Sequence, residues 1–231
     1  MTQTTQNLNL VRDYYTSQRS VGEETTNIYA IWENGGAFND SVTPSTYIPE
    51  YRSHMVDKLL ALTQDGGSIF SLGCGNAAVE GVLAVRDRTV RGIDVNEEAV
   101  ALARRKGVDA FTADYFALRP EDMRDTDAVY ADGFLGHVFD TKDHVGPALG
   151  KLGQLELKAG AHLVFSNDAP QDPESDFGPH ERVADFWFIS KDYLQDALAS
   201  VGYVPVESYY FSYDRPLSGP RNRTVCIARV P

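Results

Sequence analysis

The apolar run Ser68-Ile69-Phe70-Ser71-Leu72 breaks at Gly73 and Gly75 and resumes as Ala77-Ala78-Val79-Glu80, good helix material. Two glycines one residue apart let the chain turn sharply. Gly73, Cys74 and Gly75 then offer backbone rather than bulky side chains to a ligand. Free N–H groups at the start of the following helix favour an anionic ligand group. This chemistry holds a nucleotide-type cofactor at the end of a strand. About twenty residues further on, Thr89-Val90-Arg91-Gly92-Ile93-Asp94-Val95 reads as a second short strand ending in a carboxylate. Asp94 can accept hydrogen bonds from both hydroxyls of a ribose. It can also cap the helix that starts near Glu97.

Other polar residues fall at the ends of later strands. Asp114 can accept from an adenine amino group or cap the next turn, and Tyr115 or Phe116 can cover the ring. Histidine is the obvious candidate base, and His137 follows a fourth strand, where it can take a proton or serve as a wall. His180 lies in Gly178-Pro179-His180-Glu181-Arg182, within an irregular stretch, and is a second candidate. His144 and His162 read as structural, and His54 lies on an early helix. No His/Cys/Asp spacing suggests a metal site. Ser71 and Ser166 lie inside strands rather than on a Gly-x-Ser-x-Gly elbow, which leaves a serine hydrolase unsupported.

From Ser68 to about Pro231 the chain resembles class I S-adenosylmethionine-dependent methyltransferases. The resemblance is carried by the glycine turn, Asp94, Thr112-Ala113-Asp114-Tyr115, Leu135-Gly136-His137-Val138 and Leu157-Lys158-Ala159-Gly160-Ala161-His162-Leu163, in that order. It implies an α/β, Rossmann-like, doubly wound and mostly parallel seven-stranded sheet, with a C-terminal antiparallel hairpin and an N-terminal helical lid. It also implies S-adenosylmethionine as cofactor, held by Gly73, Cys74, Gly75, Asp94, Val95, Asp114, Tyr115 and Asp132. Two positions depart from the family: Ser71 stands where an acid usually ends the first strand, and Ala77 replaces the third glycine. The first bears on how the cofactor's ammonium group is held.

The expected reaction is methyl transfer to an amine or hydroxyl of a small polar metabolite, as in secondary metabolism. Positioning supplies much of the rate of such a displacement, and a base such as His137 or His180 takes the released proton. The acceptor pocket is expected from Tyr14, Tyr15, Tyr29, Trp32, Phe134, Asp168 and Phe186, with Asp168 or Glu33 meeting a substrate ammonium. Two alternatives stand beside this reading. Gly73-x-Gly75-x-x-Ala78 with Asp94 also satisfies the dinucleotide fingerprint of a nicotinamide-dependent oxidoreductase. Such an enzyme would need a second half-sheet or substrate domain and a proton donor such as a Tyr-Lys pair. Ser71 keeps open a non-catalytic cofactor-binding protein of the same fold.

These side chains need a scaffold, and the pattern around them supplies one. Residues 1–47 are polar and aromatic, with Leu8, Leu10, Val11, Tyr14 and Tyr15 on one helical face; they can lay a helix on the sheet edge or form a lid, and the resemblance implies the lid, with residues 48–231 expected as the methyltransferase domain. A helix from about Pro49 to Leu62 is followed by strand 68–72, helix 77–86, strand 89–94, helix 97–106 and strand 109–112. A helical turn 119–124, strand 127–131, helix 143–157 and strand 161–166 continue the alternation, which means a parallel sheet covered by helices. An irregular stretch 167–184, a helix 190–200 and strands near 203–212 and 223–229 complete it, with Asp214 to Pro220 as the hairpin link.

The chain has 231 residues, 42% of them hydrophobic and 23% charged, which suits one globular domain with a substantial core. A net charge of -12 disfavours nucleic acid as partner. No run approaches a membrane span, and the first residues lack a signal-peptide pattern. Two distant cysteines indicate a reducing compartment, so a cytoplasmic location is expected.

Overall fold

The computed structural model describes residues 7–21, 24–38, 40, 42–183 and 185–231. The N-terminal segment carries α1 (Leu8–Thr16), β1 (Arg19–Val21), β2 (Glu24–Thr26), α2 (Ile28–Glu33) and α3 (Pro44–Tyr47). The alternating part follows as α4 (Pro49–Leu62), β3 (Ser68–Leu72), α5 (Ala78–Ala84), β4 (Thr89–Asp94), α6 (Glu97–Arg105) and β5 (Asp109–Thr112). Then come α7 (Pro120–Met123), β6 (Ala128–Asp132), α8 (Phe134–His137), α9 (Gly146–Gly153) and β7 (His162–Asp168). The chain closes with β8 (Phe177–Pro179), β9 (Trp187–Ile189), α10 (Lys191–Ser200), β10 (Val204–Arg215) and β11 (Gly219–Arg229).

Seven strands form one sheet in the order β10-β11-β7-β6-β3-β4-β5. The pairs among β3 to β7 are parallel, whereas β11 lies antiparallel between β7 and β10. Side chains alternate between the two faces. Phe70, Val129, Leu163 and Cys226 pack on one side with Leu149 and Leu152 of α9 and Leu194 and Leu198 of α10. Ile69, Tyr130, Val164 and Val225 pack on the other with Tyr51, Met55 and Leu59 of α4 and Leu83 of α5. A third cluster seats Ile28, Tyr29 and Trp32 of α2 on Ala99 and Leu102 of α6. The expected α/β sheet with its closing hairpin is therefore present.

Several boundaries differ from the sequence reading, each for a local reason. The helix expected over 143–157 is only α9, because His144 and Glu156 adopt left-handed backbone, at φ 55° and 50°. The stretch 167–184 is less irregular than expected: β7 runs on to Asp168, and β8 pairs with β9 in a small hairpin. Strands of three residues leave too short a pattern to read. The C-terminal hairpin is longer than expected, its ladder running to Arg215↔Gly219. On α1, Val11 is buried but Leu10 is 46% exposed, so Leu10 does not share the packed face. Cys74 and Cys226 are free and buried. No helix among the described residues is long and apolar enough to cross a membrane.

Candidate functional site

From β3 the strand order runs outward through β4 and β5 on one side and through β6 and β7 on the other. In such sheets ligands lie beyond the carboxyl ends of the strands at this reversal. A cavity of about 610 Å³ opens there, within the range of small-molecule sites. Its first wall is the turn after β3. Gly73 and Gly75 have φ of 64° and 52°, and a Cβ on Gly73 would come within 3.1 Å of the Phe134 ring. Ala77 is left-handed too, at φ 54°, in the place where the family's third glycine stands. That conformation costs a non-glycine residue about 1–2 kcal/mol.

Asp94 ends β4 and is buried. One oxygen accepts from Gly75 N at 2.9 Å and the other from Asn96 N at 2.9 Å, so the acid ties the two cofactor loops together. It does not cap α6, whose N-cap residue is Asn96. Burial pushes its carboxyl above the usual range, opposed by these backbone bonds. Asp114 caps the following turn through Phe116 N at 2.9 Å while lining the cavity. Tyr115 also lines the cavity, but its hydroxyl turns into the core to donate to Ala148 O. Val95 and Cys74 complete this wall.

Beneath the glycine turn lies a carboxylate that sequence reasoning missed. Ser71 donates to Glu80 Oε1 at 2.6 Å, and Glu80 is 4% exposed on α5 yet lines the cavity. Burial pushes the Glu80 carboxyl up to about 7, against the Ser71 hydrogen bond. The end of β3 thus carries no acid of its own, and a carboxylate from the following helix lies beside Ser71. The available signal was a carboxylate nine residues after Ser71 on an otherwise apolar helix turn. Asp132 is close enough to interact with Glu80, and its Oδ1 takes Tyr51 OH and the Arg223 guanidinium.

Unpaired polar atoms concentrate in the same place. Arg19 Nε, Trp32 Nε1, Asn96 Oδ1, Tyr130 OH and Asp132 Oδ2 are buried without a hydrogen-bond partner among the described residues, and all belong to cavity-lining residues. Each such group costs about 1–3 kcal/mol when left unsatisfied. Their clustering marks a site shaped for polar ligands rather than a packing defect.

The opposite wall is assembled from distant segments. Tyr15 OH meets His137 Nε2 at 2.6 Å, and Tyr15 stacks on Tyr29 at 5.6 Å. Burial raises the Tyr15 phenol and lowers the His137 imidazole to about 4, so both are neutral near pH 7. Tyr14, Tyr29, Trp32, Phe134 and Phe186 line the cavity as the sequence suggested, with Phe186 4.8 Å from the His137 ring. His180 also lines it, but its Nδ1 accepts from Arg182 N and Val183 N at 3.0 and 3.1 Å. The neutral ring then carries its proton on Nε2, which makes His180 a donor rather than a base. A donor suits a substrate contact and not the base expected for catalysis.

Asp168 is corrected as well. It is not free to meet a substrate ammonium, because Arg215 Nη2 pairs with it at 2.6 Å and Arg223 Nη1 at 2.9 Å. Tyr213 donates to it at 2.8 Å. Burial alone would raise its carboxyl; the two guanidiniums hold it well below the carboxylate range. Glu33 lies outside the cavity and holds Asn76 and Lys106. Arg215 and Arg223 were not foreseen from the sequence. The signal was the spacing of Arg221 and Arg223, two apart on one strand.

The sheet, its strand order and the glycine turn over Asp94 define the fold of class I S-adenosylmethionine-dependent methyltransferases. Solved structures of that class superpose on the chain. A magnesium protoporphyrin IX methyltransferase from Synechocystis, with bound S-adenosylhomocysteine, matches 97% of this chain and 100% of its own at TM-score 0.61 and 17% identity. The 1,6-didemethyltoxoflavin N1-methyltransferase of Burkholderia thailandensis matches 78% and 76% at TM-score 0.60 and 20% identity. No protein-family profile matches the chain. In sequence, the chain is 54% identical to a tabtoxin biosynthesis enzyme from Pseudomonas amygdali pv. tabaci, over all 231 residues and 92% of that protein. The chain belongs to the family of that biosynthetic enzyme.

Proposed function

We propose that the protein is an S-adenosylmethionine-dependent methyltransferase that methylates an amine or hydroxyl of a small polar metabolite in secondary metabolism. The observation that carries this reading is the Gly73–Gly75 turn tied to buried Asp94 at the strand reversal, opening into a cavity lined by unpaired polar atoms. The methyltransferase fold supports the reaction class, and the tabtoxin relative supports a biosynthetic setting.

Bound S-adenosylmethionine would supply an electrophilic methyl group on a sulfonium. The protein's own residues would hold and orient it. Asp94 suits the ribose hydroxyls, and Val95, Asn96, Asp114 and Tyr115 suit the adenine. Gly73, Cys74 and Gly75 suit the methionine end, with Glu80 and the unpaired Asp132 Oδ2 as the carboxylates for its ammonium. An approaching ammonium favours the ionised form of Glu80 and so offsets the burial that raises it. Tyr15 and His137 stand on the acceptor side as a neutral hydrogen-bonded pair able to receive the acceptor's proton. Residues 1–47 act as the lid, anchored by Arg12 on Val95 O, Tyr29 on Asn96 and Tyr15 on His137.

Calorimetry tests the reading directly: one S-adenosylmethionine should bind per chain. Asp94→Ala should weaken that affinity about 100-fold, because the ribose hydroxyls and two loop amides lose a charged acceptor. Unchanged affinity in the variant, or tight NADH binding by the parent, would overturn the assignment.

A further inference from the structure

Two of the cavity's arginines are left without an acid in a way the cofactor does not explain. Five arginines line it, Arg19, Arg182, Arg215, Arg221 and Arg223, together with eight carboxylates, in a chain whose net charge is -12. Asp168 is paired with Arg215 and Arg223, and Asp132 with Arg223. Asp40 is met by Leu217 N and Ser218 N at 3.0 and 3.1 Å. These carboxylates already have protein donors.

The arginines are not matched in the same way. Arg221 gives Nη1 only to the Ser218 and Pro220 carbonyls and makes no ion pair among the described residues. Arg19 gives Nη2 to Tyr14 O and lies 4.9 Å from both the Tyr14 and Phe38 ring centres. It has no carboxylate partner among the described residues, and its Nε is buried and unbonded.

The hairpin register explains why these groups gather. The cross-strand pairs Tyr213↔Arg221 and Phe211↔Arg223 put all four side chains on one face, with Arg215 two residues beyond Tyr213. Asp40 fixes the hairpin turn to the N-terminal segment, two residues along from the Phe38 that covers Arg19. His180, a donor in its neutral form, lines the same cavity. A guanidinium fork matches a carboxylate in geometry and charge.

We infer that the methyl acceptor carries a carboxylate, anchored between Arg19 and the Ser218–Arg221 end of the β10–β11 hairpin. The carboxylate is an anchor and takes no part in methyl transfer. The inference rests on the methyl-transfer reading for what else occupies the cavity, but the anion site can be measured without turnover.

Glutarate and its uncharged counterpart glutaramide serve as probes in ligand-observed NMR titrations, with and without S-adenosylhomocysteine. Glutarate should bind at least about tenfold more tightly than glutaramide. Arg221→Gln and Arg19→Gln should each lower glutarate affinity about tenfold and leave glutaramide unchanged. S-adenosylhomocysteine affinity reports that each variant is folded. Equal binding of the two probes, or glutarate affinity unmoved in the Arg19→Gln/Arg221→Gln double variant, overturns the inference. If the parent binds glutarate selectively but not S-adenosylhomocysteine, the methyl-transfer reading fails and the anion site stands.

Discussion

The two walls of the cavity are built on different principles. The wall proposed for the cofactor comes from successive strand ends between Gly73 and Asp132, and much of its bonding is local and uses backbone amides, as in Asp94 with Gly75 N and Asn96 N. The wall proposed for the acceptor is made by side chains that meet across long stretches of sequence. Tyr15 and His137 are 122 residues apart, and Asp40 and Ser218 are 178 apart. A wall of backbone turns tolerates side-chain replacement away from Asp94 and the left-handed positions Gly73, Gly75 and Ala77. A wall of interlocked charges does not, because removing one member strands the others.

The largest expected effect tests that contrast. Arg223 is buried and serves Asp132, Asp168 and Ser166 together. Arg223→Met leaves two carboxylates under-compensated and should cost about 3–5 kcal/mol of stability in urea unfolding. A loss below about 1 kcal/mol would mean that the acceptor wall is as forgiving as the other.

The next effect has the opposite sign and lies on the cofactor wall. The folded Glu80 carboxyl titrates near 7, above its value in an unfolded chain, so the folded state holds a proton that the unfolded state releases earlier. Its contribution to stability is present at low pH and lost as pH rises through about 7. Glu80→Gln should therefore stabilise the cofactor-free protein by up to about 3 kcal/mol at pH 8. The gain should shrink as pH falls toward the unfolded carboxyl's range, while S-adenosylmethionine affinity drops. Parallel melting curves at several pH values read this, and a gain that does not change with pH would place the Glu80 carboxylate in water.

The smallest effect sits where the walls meet. Tyr15→Phe removes one hydrogen bond to His137 and should lower methyl transfer about tenfold, with cofactor affinity unchanged. The His137 ring should stay neutral until pH approaches about 4 because it is buried. Titration of its ring protons by NMR checks this; a midpoint near 6.5 would show a solvated imidazole.

The same contrast decided what the sequence revealed. Gly73, Gly75 and Asp94 were legible because turn chemistry and strand-end position are local properties, and the sheet followed from the alternation around them. His137 was found for the same reason, but its partner Tyr15 was only one aromatic among several. The role of Asp168 could not be read, since its charge is cancelled by Arg215 and Arg223 through strand pairing that no local pattern encodes. His180 kept its position but changed its role, because two backbone amides in its own loop occupy Nδ1. Glu80 was hidden by the opposite effect: the family's acid ends the strand, whereas the carboxylate beside Ser71 comes from the neighbouring helix.

The pairing of β10 with β11 carries one further consequence. Shifting β11 by a single residue against β7 and β10 would exchange its two faces. Arg221 and Arg223 would leave their partners for the opposite side of the sheet, and Thr224 would replace the apolar contacts of Val225. An unpaired guanidinium buried in an apolar layer is among the costlier errors a sheet can make. The charges of this wall therefore also act as a proofreading device for folding, penalising the one-residue slip that would exchange the two faces of β11.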